Sequence, residues 1–302
     1  MSREGCVLCP RMCGAFRGEE SGQGFCHMGV NPKIARAALH FWEEPCISGS
    51  RGSGTVFFSG CTLRCVFCQN YEISSQEKGL VVSVKRLADI YRELEEQGAH
   101  NINLVNPTHF VPAIVESLKI YRPGIPIIYN SSGYERVETL RMLEGLVDVY
   151  LPDLKYADDQ KARRYSGVSD YFVHARQAIA EMARQTGEPE MDEDGLLKKG
   201  TVVRHLILPE NTRNSMEALS WLAENLAGRV WVSLMGQYIP FGKADQYPEI
   251  NRKVTRREYR KVQDFLFSLP LEGFVQELSS AQKDYIPSFQ LEGVEAPDQG
   301  NS

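Results

Sequence analysis

Gly60-Cys61-Thr62-Leu63-Arg64-Cys65-Val66-Phe67-Cys68-Gln69-Asn70 is the stretch on which the rest of the chain turns. Its three cysteines stand at C-x3-C-x2-C, directly after Thr55-Val56-Phe57-Phe58-Ser59, a run with the β-branched and aromatic composition of a strand. Thiolates bind soft metals and iron–sulfur clusters. A closed 4Fe–4S site takes four cysteines, whereas this run supplies three and no fourth follows closely. A metal site short of one protein ligand keeps a position open for substrate. Two other readings compete: three core cysteines on a loop, or a zinc knot completed from elsewhere.

Downstream of the loop, apolar runs alternate with amphipathic stretches. The expected strands are 55–59, 102–105, 125–129, 147–151, 201–208 and 230–234. Between and after them the 3.6-residue spacing of apolar positions predicts helices over 84–97, 109–121, 136–143, 158–185 (one or two), 215–226 and 255–267. Gly98 suits a C-cap, and Pro112 is tolerable in a first helical turn. The acidic, glycine-bearing stretch 187–200 reads as a surface loop. Six strand–helix alternations predict an α/β fold, a partial, open (β/α)6 barrel of parallel strands. In such folds ligands gather at the carboxyl ends of the strands.

Upstream lies a second group, Cys6, Cys9, Cys13 and Cys26, spaced C-x2-C-x3-C-x12-C among glycines and few large apolar residues. A segment so poor in core residues needs a staple. Tetrahedral zinc on four sulfurs and a second iron–sulfur cluster both fit the pattern. His27 adjoins Cys26 as a bystander or substitute ligand. Residues 31–51 read as a linker carrying Cys46, the one cysteine outside both groups, expected as a small buried hydrophobe or a redox-active thiol. The expected divisions are residues 1–50 (cysteine-rich extension and linker), 51–287 (barrel) and 288–302 (disordered tail).

The chain has 302 residues, 42% hydrophobic, with a formal net charge of −5 and eight cysteines. That charge offers no overall field for nucleic acid or anionic membrane, and no basic stripe with interleaved aromatics is present. No apolar run approaches the ~18 residues of a membrane span, and the first residues lack the apolar core of a secretory signal. The expected location is the cytoplasm, where cysteines serve as metal or redox ligands rather than disulfides.

The cysteine loop with Phe67 before its last cysteine resembles the signature of the radical S-adenosylmethionine (SAM) superfamily. With Ser48-Gly49-Ser50-Arg51-Gly52-Ser53-Gly54 before it, Gln69-Asn70-Tyr71-Glu72-Ile73-Ser74 after it, and Cys6-Val7-Leu8-Cys9-Pro10-Arg11-Met12-Cys13-Gly14, the chain is similar to iron–sulfur proteins of the pyruvate formate-lyase activating enzyme type. The resemblance implies that Cys61, Cys65 and Cys68 hold three irons of a 4Fe–4S cluster, with SAM on the fourth. Phe67 would pack on the adenine. Asn106 or Thr108, after the second strand, would receive the SAM amino group, although the family's glycine-rich acidic segment is missing there. Asn130-Ser131-Ser132-Gly133 and Asp153-Leu154-Lys155 resemble the enzyme's SAM-contacting segments, the second near a monovalent cation, with Asn in place of the first segment's Asp. Arg204 would meet the SAM carboxylate, unless it pairs with Asp153, and Gln237 the adenosyl group.

The implied activity is that of a radical SAM oxidoreductase, in which reductive cleavage of SAM gives a 5′-deoxyadenosyl radical that takes a hydrogen atom. Three readings follow. One is an activase acting on a glycine of a partner protein. Another is an enzyme modifying a small molecule or peptide. The third is a non-catalytic iron–sulfur or zinc redox protein. A flavodoxin or ferredoxin would supply electrons. The run Arg252-Lys253-Val254-Thr255-Arg256-Arg257 reads as a solvated helix start, or as a docking face for such an acidic partner.

Overall fold

The computed structural model describes residues 5–276 and 287–296. Ten strands form its sheet: β1 (Lys33–His40), β2 (Ser53–Phe58), β3 (Leu80–Val81), β4 (Ile102–Val105), β5 (Ile127–Ser131), β6 (Val149–Pro152), β7 (Glu190–Met191), β8 (Leu197–Leu206), β9 (Trp231–Met235) and β10 (Glu272–Val275). Their order is β10-β9-β8-β6-β5-β4-β2-β1-β3, with β7 folded antiparallel onto β8. From β2 to β10 every neighbouring pair on that path is parallel, while β1 and β3 run antiparallel at the other edge. The result is a largely parallel, open α/β sheet, a partial barrel.

The helices are α1 (Pro45–Ser48), α2 (Tyr71–Ser74), α3 (Val84–Glu96), α4 (Val111–Ile120), α5 (Val137–Arg141), α6 (Asp159–Ser166), α7 (Tyr171–Thr186), α8 (Thr212–Leu226) and α9 (Arg256–Phe267). Local signals explain several of their ends. Ser83 caps α3 by accepting from the Arg86 N–H, and α9 opens on a reciprocal capping box between Thr255 and Glu258. The basic run before α9 is therefore a helix start, and its Arg252 is paired with Glu258. Every residue of β4, β5 and β6 is buried, as strands covered on both faces must be.

Eight of the largest fully buried side chains are tyrosines. Each hydroxyl has a partner, as buried phenols require. Tyr171 matters most for the site. Its hydroxyl lies 2.8 Å from the Ser132 carbonyl and 2.9 Å from the Asp153 carbonyl, and it accepts from the Lys155 N–H at 2.9 Å. That one oxygen ties the end of β5 to the end of β6.

Four expectations change. A seventh parallel strand, β10, lies beyond the six. It is short, half-exposed and interrupted by Gly273, whose Cβ would stand 2.0 Å from the Val232 carbonyl, so it carries no apolar period. The supposed linker 31–51 contains β1, an alanine-rich strand held by its pairing with β2 rather than by propensity. The stretch 187–200 includes the β7–β8 hairpin. Residues 288–296, expected as disordered, pack back onto the chain. The Ala37 N–H donates to the Glu292 carbonyl at 2.8 Å, Val294 is wholly buried, and Arg86 donates to the carbonyls of Gly293, Val294 and Glu295. Residues 297–302 of that expected tail lie outside the described residues. Cys46 is the buried hydrophobe expected, packed with Ile47, Ile128 and Val149.

Candidate active site

The cysteine loop follows β2 at the carboxyl edge of the sheet. It starts at Gly60, whose φ of +80° and close approach to Met28 leave no room for a side chain: a Cβ would sit 2.5 Å from Met28 Cγ and 3.0 Å from the Cys26 carbonyl. Cys61 and Cys65 are buried and Cys68 half-buried. Each sulfur is met by a donor. The Leu63 and Arg64 N–H groups point at Cys61 Sγ at 3.3 and 3.4 Å. Ser166 Oγ donates to Cys65 Sγ at 3.0 Å and is itself 2.9 Å from Tyr156 Oη. Ser74 Oγ donates to Cys68 Sγ at 3.4 Å. Burial pushes the Cys68 thiol up to about 12, and it raises Cys65 as well, against the pull of the Lys155 charge. A metal cation in place of the proton would offset that cost for Cys65 and Cys68. Among the described residues no three His, Cys, Asp or Glu side chains converge on one ion position.

The three cysteines open onto a cavity of about 240 Å³. Phe67, Asn106, Asn130, Ser131, Asp153, Lys155, Arg204 and Gln237 all line it. Phe67 is held edge-on between Tyr165 and Tyr238, with ring centroids 6.4 and 5.9 Å away. Asn106 takes a φ of +59° and reaches the Gly60 carbonyl through its Nδ2. The Ser132 hydroxyl, also in the lining, is buried with no partner in the chain and so is free for a ligand.

Across the floor runs a chain of charges. Lys155 Nζ bonds Asp153, and Arg204 Nε donates to the other Asp153 oxygen at 2.9 Å. Arg204 Nη2 donates to Asn130 Oδ1 at 2.6 Å, and Nη1 to Glu43 Oε2 at 3.2 Å. Burial opposes the charge of Asp153, but Arg204 and Lys155 outweigh it and hold its carboxyl below the usual range. Burial raises Glu43 despite Arg204, and raises its neighbour Glu44, which accepts from Ser233 Oγ at 2.8 Å.

Two expected roles change. Thr108 does not line the cavity; the turn after Asn106 carries it beneath the strand ends, where its Oγ1 donates to buried Glu135 at 2.6 Å. Arg204 is engaged by Asp153, as the alternative reading had it, and also by Glu43 and Asn130. Glu43, with His40 and Trp42 beside it in the lining, was not anticipated. Its signal, an acidic pair after Phe41-Trp42 in a presumed linker, lacks any partner within reach along the sequence. Cys6, Cys9, Cys13 and Cys26 gather around a separate small pocket behind the loop.

A three-thiol loop at the carboxyl edge of an open parallel α/β sheet, beside a polar cavity, defines a cluster enzyme with a ligand-binding position. Residues 55–222 match the model of the radical SAM superfamily. The chain is 30% identical over 266 residues to an uncharacterized protein, MJ0674, of Methanocaldococcus jannaschii, covering 85% of this chain and 72% of that one. It belongs to the radical SAM superfamily, and its cofactors are a 4Fe–4S cluster and SAM. Among solved structures, Streptococcus suis SuiB bound to S-adenosylmethionine superposes with a TM-score of 0.51 at 16% identity, over 74% of this chain and 50% of that one. Methylornithine synthase (PylB) does so with a TM-score of 0.51 at 14% identity, over 80% and 65%. The chain thus spans about half to two thirds of the length of these structures, and the likeness is one of fold.

Proposed function

We propose that the chain is a radical SAM oxidoreductase acting on a glycine of a partner protein, in the manner of an activase. The observation that carries this reading is the size of the cavity. At about 240 Å³ it lies below the ~300–1,000 Å³ typical of a site for one drug-sized ligand. The cluster and SAM would fill that space, leaving no room inside for a separate substrate, so the substrate would reach the reacting atom as a segment offered at the mouth. Trp42, at the rim and largely exposed, gives such a segment an apolar surface to lie on.

When bound, the cluster supplies the electron that splits SAM into methionine and a 5′-deoxyadenosyl radical. The residues of the chain bind, orient and shield. Cys61, Cys65 and Cys68 hold the cluster, and the donors to their sulfurs set its potential. Phe67 takes the adenine face, while Asn106, Asn130, Ser131 and Gln237 offer hydrogen bonds to the polar parts of SAM. Asp153 and Lys155 supply paired charge near its amino acid end, with Arg204 holding Asp153 in place.

Among the described residues no helix is long and apolar enough to cross a membrane. We place the protein in the cytoplasm with a flavodoxin or ferredoxin as donor, since a low-potential cluster needs a reducing compartment. The test uses anaerobic protein, SAM, reductant and candidate glycyl-radical enzymes labelled with deuterated glycine. Deuterium in 5′-deoxyadenosine together with a glycyl EPR signal supports the reading. Deoxyadenosine formed with neither would move the substrate to a small molecule or another peptide.

A further inference from the structure

Behind the cysteine loop, on the side away from the cavity, Cys6, Cys9, Cys13 and Cys26 line a small pocket together with Arg11, Thr62 and His109. Three buried polar atoms without partners fall on these same residues: Arg11 Nη2, Thr62 Oγ1 and His109 Nδ1. Thr62 and His109 are 1% and 2% exposed, so water does not satisfy them from outside. Buried polar groups are ordinarily bonded, and two orphan donors among them, Arg11 Nη2 and Thr62 Oγ1, beside four thiols point to a missing occupant that accepts hydrogen bonds and binds sulfur. His109 Nε2 donates to the Ser59 carbonyl at 2.7 Å, which leaves Nδ1 as the free ring atom.

The extension is clamped to the barrel here. Arg11 Nε donates to the Thr62 carbonyl at 2.5 Å, and its guanidinium lies 3.4 Å from the Phe25 ring centre. Arg136 Nη1 and Thr139 Oγ1 donate to the carbonyls of Val7 and Leu8 at 2.6 and 2.7 Å. Thr62 directly follows the cluster ligand Cys61. We propose that Cys6, Cys9, Cys13 and Cys26 form a second, thiolate-held soft-metal centre completed by the barrel, with Arg11 and Thr62 donating to its sulfurs and His109 beside it. It is one assembly with the radical SAM loop rather than a separate module.

Zinc and an iron–sulfur cluster share this thiolate chemistry; the four thiols line one pocket without converging on a single ion position, so loading would draw them together. Loading the site braces the backbone at Thr62, and so the position of Cys61, from behind.

The experiment uses the full chain carrying Cys61→Ala, Cys65→Ala and Cys68→Ala, which removes the first cluster and makes the result independent of any activity. After anaerobic reconstitution with iron and sulfide, or with zinc, metal and sulfide are counted per chain beside circular dichroism. About four irons with sulfide identify a cluster, and about one zinc an ion. Either supports the site, provided that adding Cys9→Ser and Cys26→Ser abolishes it. A folded chain that retains no metal overturns it. Shared construction is read from Arg11→Gln and Thr62→Val in the same background. Loss of an outer partner weakens metal binding about tenfold to a hundredfold in chelator competition. Unchanged affinity in Thr62→Val would overturn the role of the barrel, and unchanged affinity in Arg11→Gln that of the extension's own donor.

Discussion

Replacing Arg204 by methionine would separate the charge chain from mere packing. Among the described residues the guanidinium is the one cation bonded to Glu43, which otherwise has amide neighbours, Asn130 Nδ2 at 3.3 Å and Asn103; Asp153 would retain Lys155. Two unit charges at 3.2 Å interact by about 5 kcal/mol at an effective dielectric of about 20. Breaking a buried pair costs about 3–5 kcal/mol because the remaining charge is stranded. The expected loss at pH 8 is therefore about 3 kcal/mol or more.

The pH dependence fixes the sign. Burial already holds the Glu43 carboxyl above its usual range with Arg204 present, and without Arg204 it rises further. A carboxyl whose folded value is raised destabilises as pH climbs past its unfolded value, so the variant's deficit should grow from pH 5.5 to pH 8. Adding Glu43→Gln should recover about 2 kcal/mol at pH 8 and little at pH 5.5. The assay is urea unfolding of the metal-free, reduced protein at both pH values, arranged as a double-mutant cycle. A loss below about 1 kcal/mol, or a pH-independent loss that Glu43→Gln does not relieve, would refute the reasoning.

Other outcomes follow from single contacts. Ser166→Ala removes the hydroxyl donor to Cys65 Sγ, so the reduced cluster loses stabilisation and its potential should fall, as read by EPR redox titration; an unchanged or higher potential would count against that role. Asn106→Ala should weaken SAM binding several-fold by calorimetry. Thr108→Val should leave SAM binding alone yet cost about 1–3 kcal/mol, because Glu135 loses a donor; the reverse pattern would return Thr108 to the site. Gly60→Ala meets both a positive φ and Met28, and should destabilise by about 1–3 kcal/mol in thermal unfolding. An unperturbed melting temperature would mean that the contact with the extension is slack.

The sequence by itself determined what depends on neighbours in the chain. The three thiols of the loop lie within eight residues, 61–68, so their shared destination is legible as spacing. The six strand–helix units announce themselves because an apolar period is a local property, and the residues just past each strand are then known to share one edge. Tertiary structure decided everything that depends on distant partners. Arg204 bonds Glu43 across 161 positions, and Ser166 reaches Cys65 across 101. No composition or period records such pairings. The strand β1 exists through its pairing with β2, and β10 through the space that Gly273 leaves against Val232. In each case burial and hydrogen bonding supplied by remote residues outweigh weak local preference, which is why a stretch that reads as a linker became a wall of the site.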